Sequence, residues 1–269
     1  TVSLPSAGAA MDVIRAAIVN PAKLSPERSL EICLQCHLET SNQKLPAMVV
    51  RLDRTPFSYV PGQPLGDYKV TFDREQGNLG NFEIAQAGYR FRESQCFLKS
   101  QGKLGCTTCH NPHDIPRGET ATAGYNKVCL NCHQSKITAI AAVPHKAEAN
   151  CVGCHMPKRR TDDGIHIVMT EHQIPKRPAA GDLLADKRER TETSSYQGEV
   201  VPYYPPKLAA TADNELTIAE AQVREKSNLA KGLVRLAVAY SPHLRLPMAR
   251  VGPMGKTQHL VKESDVVTQ

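Results

Sequence analysis

CTTCHNPH, residues 106–113, decides how the rest of the chain is read. Two cysteines stand three positions apart, a histidine follows at once, and a second histidine comes three positions later. The same frame recurs as CLQCH at 33–37, CLNCH at 129–133 and CVGCH at 151–155. These frames use eight of the nine cysteines and leave Cys96 over. Histidine is only 10 of 269 residues, so its place after all four pairs is not a product of composition.

Three chemistries compete for such pairs. Disulfides would be indifferent to the following residue, and a two-residue gap suits redox or metal chemistry better than bridging. Zinc could take the cysteines as two four-thiolate sites, with the histidines incidental. Covalent haem needs the whole pentapeptide: two thiols form thioethers with the vinyl groups, and the adjacent imidazole reaches the iron. Haem is the expectation that uses every residue of the frame. It assigns Cys33, Cys36, Cys106, Cys109, Cys129, Cys132, Cys151 and Cys154 to thioethers of four haem c groups. His37, His110, His133 and His155 then become the proximal iron ligands.

Haem is attached to such motifs outside the cytoplasm, so an exported chain, periplasmic or extracellular, is expected. The opening TVSLPSAGAA has neither a basic start nor a long apolar segment, which suggests a mature or trimmed terminus. No apolar run approaches the roughly 18 residues of a membrane span. The formal charge of +6 would be largely offset by haem propionates. The basic run Lys158, Arg159 and Arg160 is expected to pair with propionates or face solvent, with docking of an acidic redox partner as the sharper alternative. No aromatic residues interleave with these charges, so no nucleic-acid partner is expected.

The chain has no Trp, five Phe and eight Tyr, too few for a conventional core of its size. Three motifs fall within residues 106–155, and so short a stretch cannot bury three macrocycles separately. Haem itself is therefore expected to form much of the core. Residues 9–20 have helical spacing, and Ser25 followed by Pro26 marks the start of a helix running into the first motif. YKVTF (68–72) reads as a short strand. The stretch 82–100 reads as helical with an interruption near Gly88, and carries Cys96 as a buried free thiol or an intermolecular disulfide. Residues 174–206 are proline-rich and charged and read as an extended arm. Two helices are expected at about 214–224 and 227–240, and an irregular tail over the last 28 residues.

Four iron atoms have eight axial positions, and the motif histidines fill half of them. Of the six other histidines, four lie inside or just after the haem cluster: His113, His145, His166 and His172. They match the number of empty positions, so bis-histidine ligation is expected throughout. His113 is too close to cap its own haem, because Pro112 turns the segment away; a neighbouring haem is its expected target. His243 and His259 lie beyond the arm and are weaker candidates. Met48, Met156 and Met169 are expected to pack rather than ligate.

SQCFLKSQGKLGCTTCHNPHD (94–114) and CVGCHMPKRRTDDGIHIVMTEHQI (151–174) resemble the multihaem cytochromes c related to the tetrahaem cytochrome of ammonia oxidisers. They are most similar to versions fused to tetratricopeptide repeats. The resemblance covers roughly residues 12–240. It implies a mainly α fold with extensive irregular loops and closely packed haems. It also implies that His113, His166 and His172 are axial ligands. Such relatives usually carry a further haem-binding segment upstream of the counterpart of Cys33, which this chain starts too late to show. NELTIAEAQV resembles the start of the repeat array, but one helical pair is too few for a solenoid.

The domain plan expected is a tetrahaem region over 1–173, an extended arm over 174–211, and a helical hairpin with irregular tail over 212–269. Electron transfer is the leading function, with redox proteins or neighbouring copies as partners. One alternative is a subunit of an extracellular cytochrome filament. It draws on the first motif, 73 residues before the second, and on the 174–269 arm and tail as contacts for a homopolymer. The other is a multihaem oxidoreductase with one open haem acting on small nitrogen compounds.

Overall fold

The computed structural model describes residues 8, 10–41, 48–55, 57–75, 77, 79–137, 150–177, 179–188, 198–225 and 230–244. The chain divides into two compact units, Thr1–Leu208 and Ala209–Gln269.

The first unit contains, in chain order, α1 (Met11–Ala17), α2 (Pro26–His37), β1 (Met48–Val50), β2 (Lys69–Arg74), α3 (Ala87–Arg92), α4 (Gln95–Lys99) and α5 (Cys106–Cys109). It continues with α6 (Gly118–Ile137), α7 (Cys151–His155), β3 (Lys158–Arg160), β4 (Val168–Thr170) and β5 (Val200–Tyr204). α2 starts where its capping sequence predicts: the Arg28 N–H donates to Ser25 Oγ at 3.3 Å and Pro26 occupies the first turn. Leu30 and Leu34, one turn apart, and Leu38 beyond them are all buried. α1 is shorter than its pattern: Ile18 leaves the helix in extended backbone, and Pro21 further disfavours helical backbone at Asn20. Asn20 instead accepts from the Ala22 N–H at 3.0 Å and opens a separate 3₁₀ turn at Pro21–Lys23.

The expected strand is the centre of a three-stranded antiparallel sheet ordered β1-β2-β5. Val49 pairs with Val70 on one side; Asp73 pairs with Val201 on the other. Four consecutive residues of β2 are buried, so both its faces are covered. This sheet is the main departure from a mainly α plan. β5 lies inside the proline-rich 174–211 stretch, and Pro202 is tolerated because β5 is an edge strand with a register shift beside it. Tyr204 at the end of β5 donates to Glu31 Oε1 at 2.6 Å, which ties the strand to α2.

The core joins Leu30, Leu34 and Leu38 to Leu65, Tyr59, Tyr68, Tyr89 and Tyr204. Tyrosines supply much of its bulk; Tyr59 and Tyr68 meet edge-on with centroids 5.3 Å apart. The 82–100 stretch breaks at Ser94, not at Gly88. Ser94 Oγ accepts from the Phe97 N–H at 3.1 Å and starts α4, whereas Gly88 lies within α3 against the end of α2. By contrast, no described side chain over 101–134 or 150–160 is buried by protein.

β3 and β4 form a hairpin pairing Arg159 with Met169. Two of the three residues of its basic run have protein partners. Arg159 lies over the Phe82 ring at 4.9 Å and donates to the Gly80 carbonyl at 2.7 Å. Arg160 donates to the carbonyls of Ile165 and Leu184 and pairs with Asp186 at 3.2 Å. Lys158 is exposed.

In the second unit, α8 (Ala212–Glu225) packs against α9 (Ala230–Leu244), as the helical spacing predicts. Thr211 caps α8, its Oγ1 accepting from the Asn214 N–H at 3.3 Å. The tail beyond Leu244 lies outside the described residues.

Candidate haem centres

All four motifs sit on helical turns. CLQCH closes α2, CTTC is α5, CLNCH lies within α6 and CVGCH is α7. A spacing of three on a helix puts both thiols on one face. In every motif the first cysteine is half-buried and the second exposed. Local caps build the short turns: Gly153 N–H donates to Asn150 Oδ1 at 2.8 Å, and His110 N–H closes α5 on the Cys106 carbonyl at 2.9 Å. None of the nine cysteines is in a disulfide.

At least one thiol of each motif lies within electrostatic reach of a thiol of the next motif in the chain. Cys33 and Cys106 share a hydrogen bond that pushes the Cys33 thiol down to about 7 and the Cys106 thiol up. Burial raises Cys129 to about 11, with Cys151 and Cys109 close enough to add to it. The Cys151 N–H donates to Asn126 Oδ1 at 3.1 Å, which joins α7 to α6. The first motif, 73 residues upstream of the second in sequence, is therefore its neighbour in space. Cys96 is half-buried rather than fully buried, and lies within electrostatic reach of Cys132.

One histidine pair is brought face to face. The rings of His110 and His172 have centroids 6.2 Å apart with planes tilted by 37°. Two imidazoles bound to one metal through nitrogen bonds of about 2 Å would hold their ring centres roughly 6 Å apart. His172 Nδ1 donates to the Thr170 carbonyl at 2.8 Å, which makes Nε2 the coordinating nitrogen. Partial desolvation lowers the pKa of both imidazoles, although His110 remains exposed; His37 is near enough to add to the shift on each. His155 has a matching arrangement, its Nδ1 donating to the Pro175 carbonyl at 2.8 Å. Tyr125 Oη stands 3.5 Å from His110 Nδ1.

These residues fit haem c. Thiol pairs share a helical face, imidazoles are oriented by carbonyls, and the helices bearing three motifs carry no protein-buried side chain that would otherwise hold them. Among the described residues no three His, Cys, Asp or Glu side chains converge as a simple metal-ion site would need.

The remaining candidates are not gathered in this way. His37, His113, His133 and His166 are exposed. His113 sits in the turn after α5, where its N–H donates to Asn111 Oδ1 at 3.1 Å. His145 and His259 lie outside the described residues, as does the side chain of His243. Met48 and Met169 are strand residues and Met156 caps α7. Sequence reasoning missed the carbonyls of Thr170 and Pro175 and the buried Arg90 beside Glu171. Only the adjacency of Glu171 to His172 hinted at the last.

Residues 100–138 match the family model described as a doubled CXXCH motif, covering the second and third motifs. No curated protein and no solved structure matches the chain. The match supports covalent haem c attachment, a multihaem c-type cytochrome in the broad sense, and electron transfer. Among the described residues no helix is long and apolar enough to cross a membrane.

Proposed function

We propose that this chain is an electron carrier or conduit holding four covalently attached haem c groups, each with two axial histidines. The observation that carries the proposal is the facing pair His110 and His172, spaced as two ligands of one iron would be. When bound, haem c supplies an iron that exchanges one electron at a time. The chain's part is to tether, orient and space. The eight motif cysteines hold the macrocycles, and His37, His110, His133 and His155 ligate from one side. His172 would hold the same group together with His110, its Nδ1 tied to the Thr170 carbonyl so that Nε2 is the nitrogen free to ligate. His113, His145 and His166 serve the other three. The proximity of cysteines in successive motifs supports a stepwise path from the first site to the fourth.

Export to the periplasm or beyond follows from the attachment chemistry. Redox proteins or neighbouring copies of the chain exchange electrons with it, and a polymer would use the 174–269 region as its contact. The test combines intact mass with low-temperature EPR of the ferric protein and carbon monoxide binding after reduction. We expect four haems, only low-spin signals and no carbon monoxide shift. His172→Ala should convert one haem to a high-spin, carbon-monoxide-binding form. A high-spin haem in the unaltered protein would overturn the carrier reading in favour of an oxidoreductase acting on small nitrogen compounds.

A further inference from the structure

Arg90, on α3, is 1 % exposed, among the most enclosed side chains described. Its guanidinium grips Glu171 as a fork: Nε donates to Oε1 and Nη2 to Oε2, both at 2.5 Å. Nη1 donates to the carbonyls of Leu79 at 3.0 Å and Asn81 at 3.2 Å, and Nη2 reaches Gln173 Oε1 at 3.5 Å. All five N–H directions of the arginine thus have an acceptor. Arg159 adds a second cation to Glu171 at 3.6 Å, and both guanidiniums also lie over the Phe82 ring, 5.1 Å (Arg90) and 4.9 Å (Arg159) from its centroid.

Glu171 and Gln173, whose side chains accept from Arg90, flank His172. Glu171 is fixed in two further ways: its N–H donates to the Pro157 carbonyl at 3.0 Å, and its Oε1 accepts from the Gln173 N–H at 2.9 Å. Burial by itself would raise the Glu171 carboxyl, but Arg90's hydrogen bonds and charge outweigh that and hold it ionised, below its usual pKa. An ion pair this deep costs much of what it gains, so its presence is weak evidence for stability; where such pairs matter, they fix one geometry against near alternatives. A bidentate arginine–carboxylate pair is directional in a way that apolar packing is not.

We infer that Arg90 is a positioning residue for His172, acting through its bidentate grip on Glu171 to set the segment that presents the imidazole to the iron. The inference rests on the reading of His172 as the axial ligand opposite His110. The β3–β4 hairpin delivers Thr170, whose carbonyl sets the ring's tautomer, and the Arg90 fork sets where the next residue turns. Lysine could keep the charge at position 90 but not the fork.

The experiment uses the haem-loaded full chain and three variants: Arg90→Lys, Glu171→Gln and His172→Ala. Haem content, far-UV circular dichroism, low-temperature EPR and the reduction potentials are read for each. Arg90→Lys and Glu171→Gln should keep all four haems and the wild-type circular dichroism. They should also show part of the high-spin, carbon-monoxide-binding signal that His172→Ala shows in full, with the potential of that one haem displaced. If both remain wholly low-spin while His172→Ala does not, the positioning role is wrong and the ligand assignment stands. If His172→Ala is itself wholly low-spin with unchanged potentials, the ligand assignment fails and the positioning role with it. Should Arg90→Lys not fold, Glu171→Gln decides, since it keeps the side-chain volume and an acceptor for the fork.

Discussion

Replacing Gly88 by alanine tests how the first haem motif is seated. Gly88 lies inside α3, against the last turn of α2. A Cβ there would stand 2.6 Å from the His37 carbonyl oxygen and 2.6 Å from Leu34 Cδ2. In an open helix the change would stabilise by about 1 kcal/mol through helix propensity. Here it cannot, because neither neighbour can yield alone. Leu34 is 0 % exposed and the carbonyl belongs to the α2 backbone at the haem-binding histidine. Restoring ordinary contact requires α3 and α2 to separate by roughly 1 Å. Overpacking of this kind costs about 1–3 kcal/mol, so after the propensity gain of about 1 kcal/mol the net change should lie between about 0 and 2 kcal/mol of destabilisation. Urea unfolding of the haem-loaded protein, followed by far-UV circular dichroism, measures it. Repeating the substitution in a Leu34→Ala background removes one of the two clashes and should shrink the penalty without abolishing it. A Gly88→Ala protein more stable than wild type by the full propensity gain of about 1 kcal/mol, in either background, would refute the argument that the His37 carbonyl sets the spacing.

Two further predictions concern the buried carboxylates. Burial, with Glu39, Asp163 and Asp162 nearby, pushes the Glu83 carboxyl up to about 7 from a reference of 4.5. The folded state then binds that proton more tightly than the unfolded chain. Stability therefore falls as pH rises from about 4.5 through about 7, by up to roughly 3 kcal/mol. Glu83→Gln should flatten that fall, seen as converging urea midpoints at pH 5 and pH 8; an unchanged pH slope would assign it to other groups. Tyr204→Phe removes the donor to Glu31, a side chain 2 % exposed that otherwise leans on Arg28. A loss of about 1–3 kcal/mol is expected from thermal unfolding, and a loss near zero would mean that Arg28 alone satisfies the carboxylate.

The haem chemistry was legible because it is local. Each attachment frame is five contiguous residues, and no change in chain path could separate a motif's two thiols from its histidine. The start of α2 was legible for the same reason, since Ser25 and Pro26 act on the turn that follows them. β5 was not, because the prolines around it signal an extended arm, and only pairing with β2 and burial of Val200 and Tyr204 turn that segment into a strand. The protein partners of the basic run after the last motif, Phe82, Gly80, Leu184 and Asp186, were not legible either, because they come from distant segments.

The sequence by itself therefore determined the covalent attachment chemistry, because each CxxCH frame carries it whole. The tertiary structure alone decided that Cys33 lies beside Cys106, that His172 faces His110, and that Arg90 grips Glu171 across 81 residues of chain. Covalent attachment is written within one helical turn, whereas the second ligand of an iron and the groups that aim it depend on where separate segments meet.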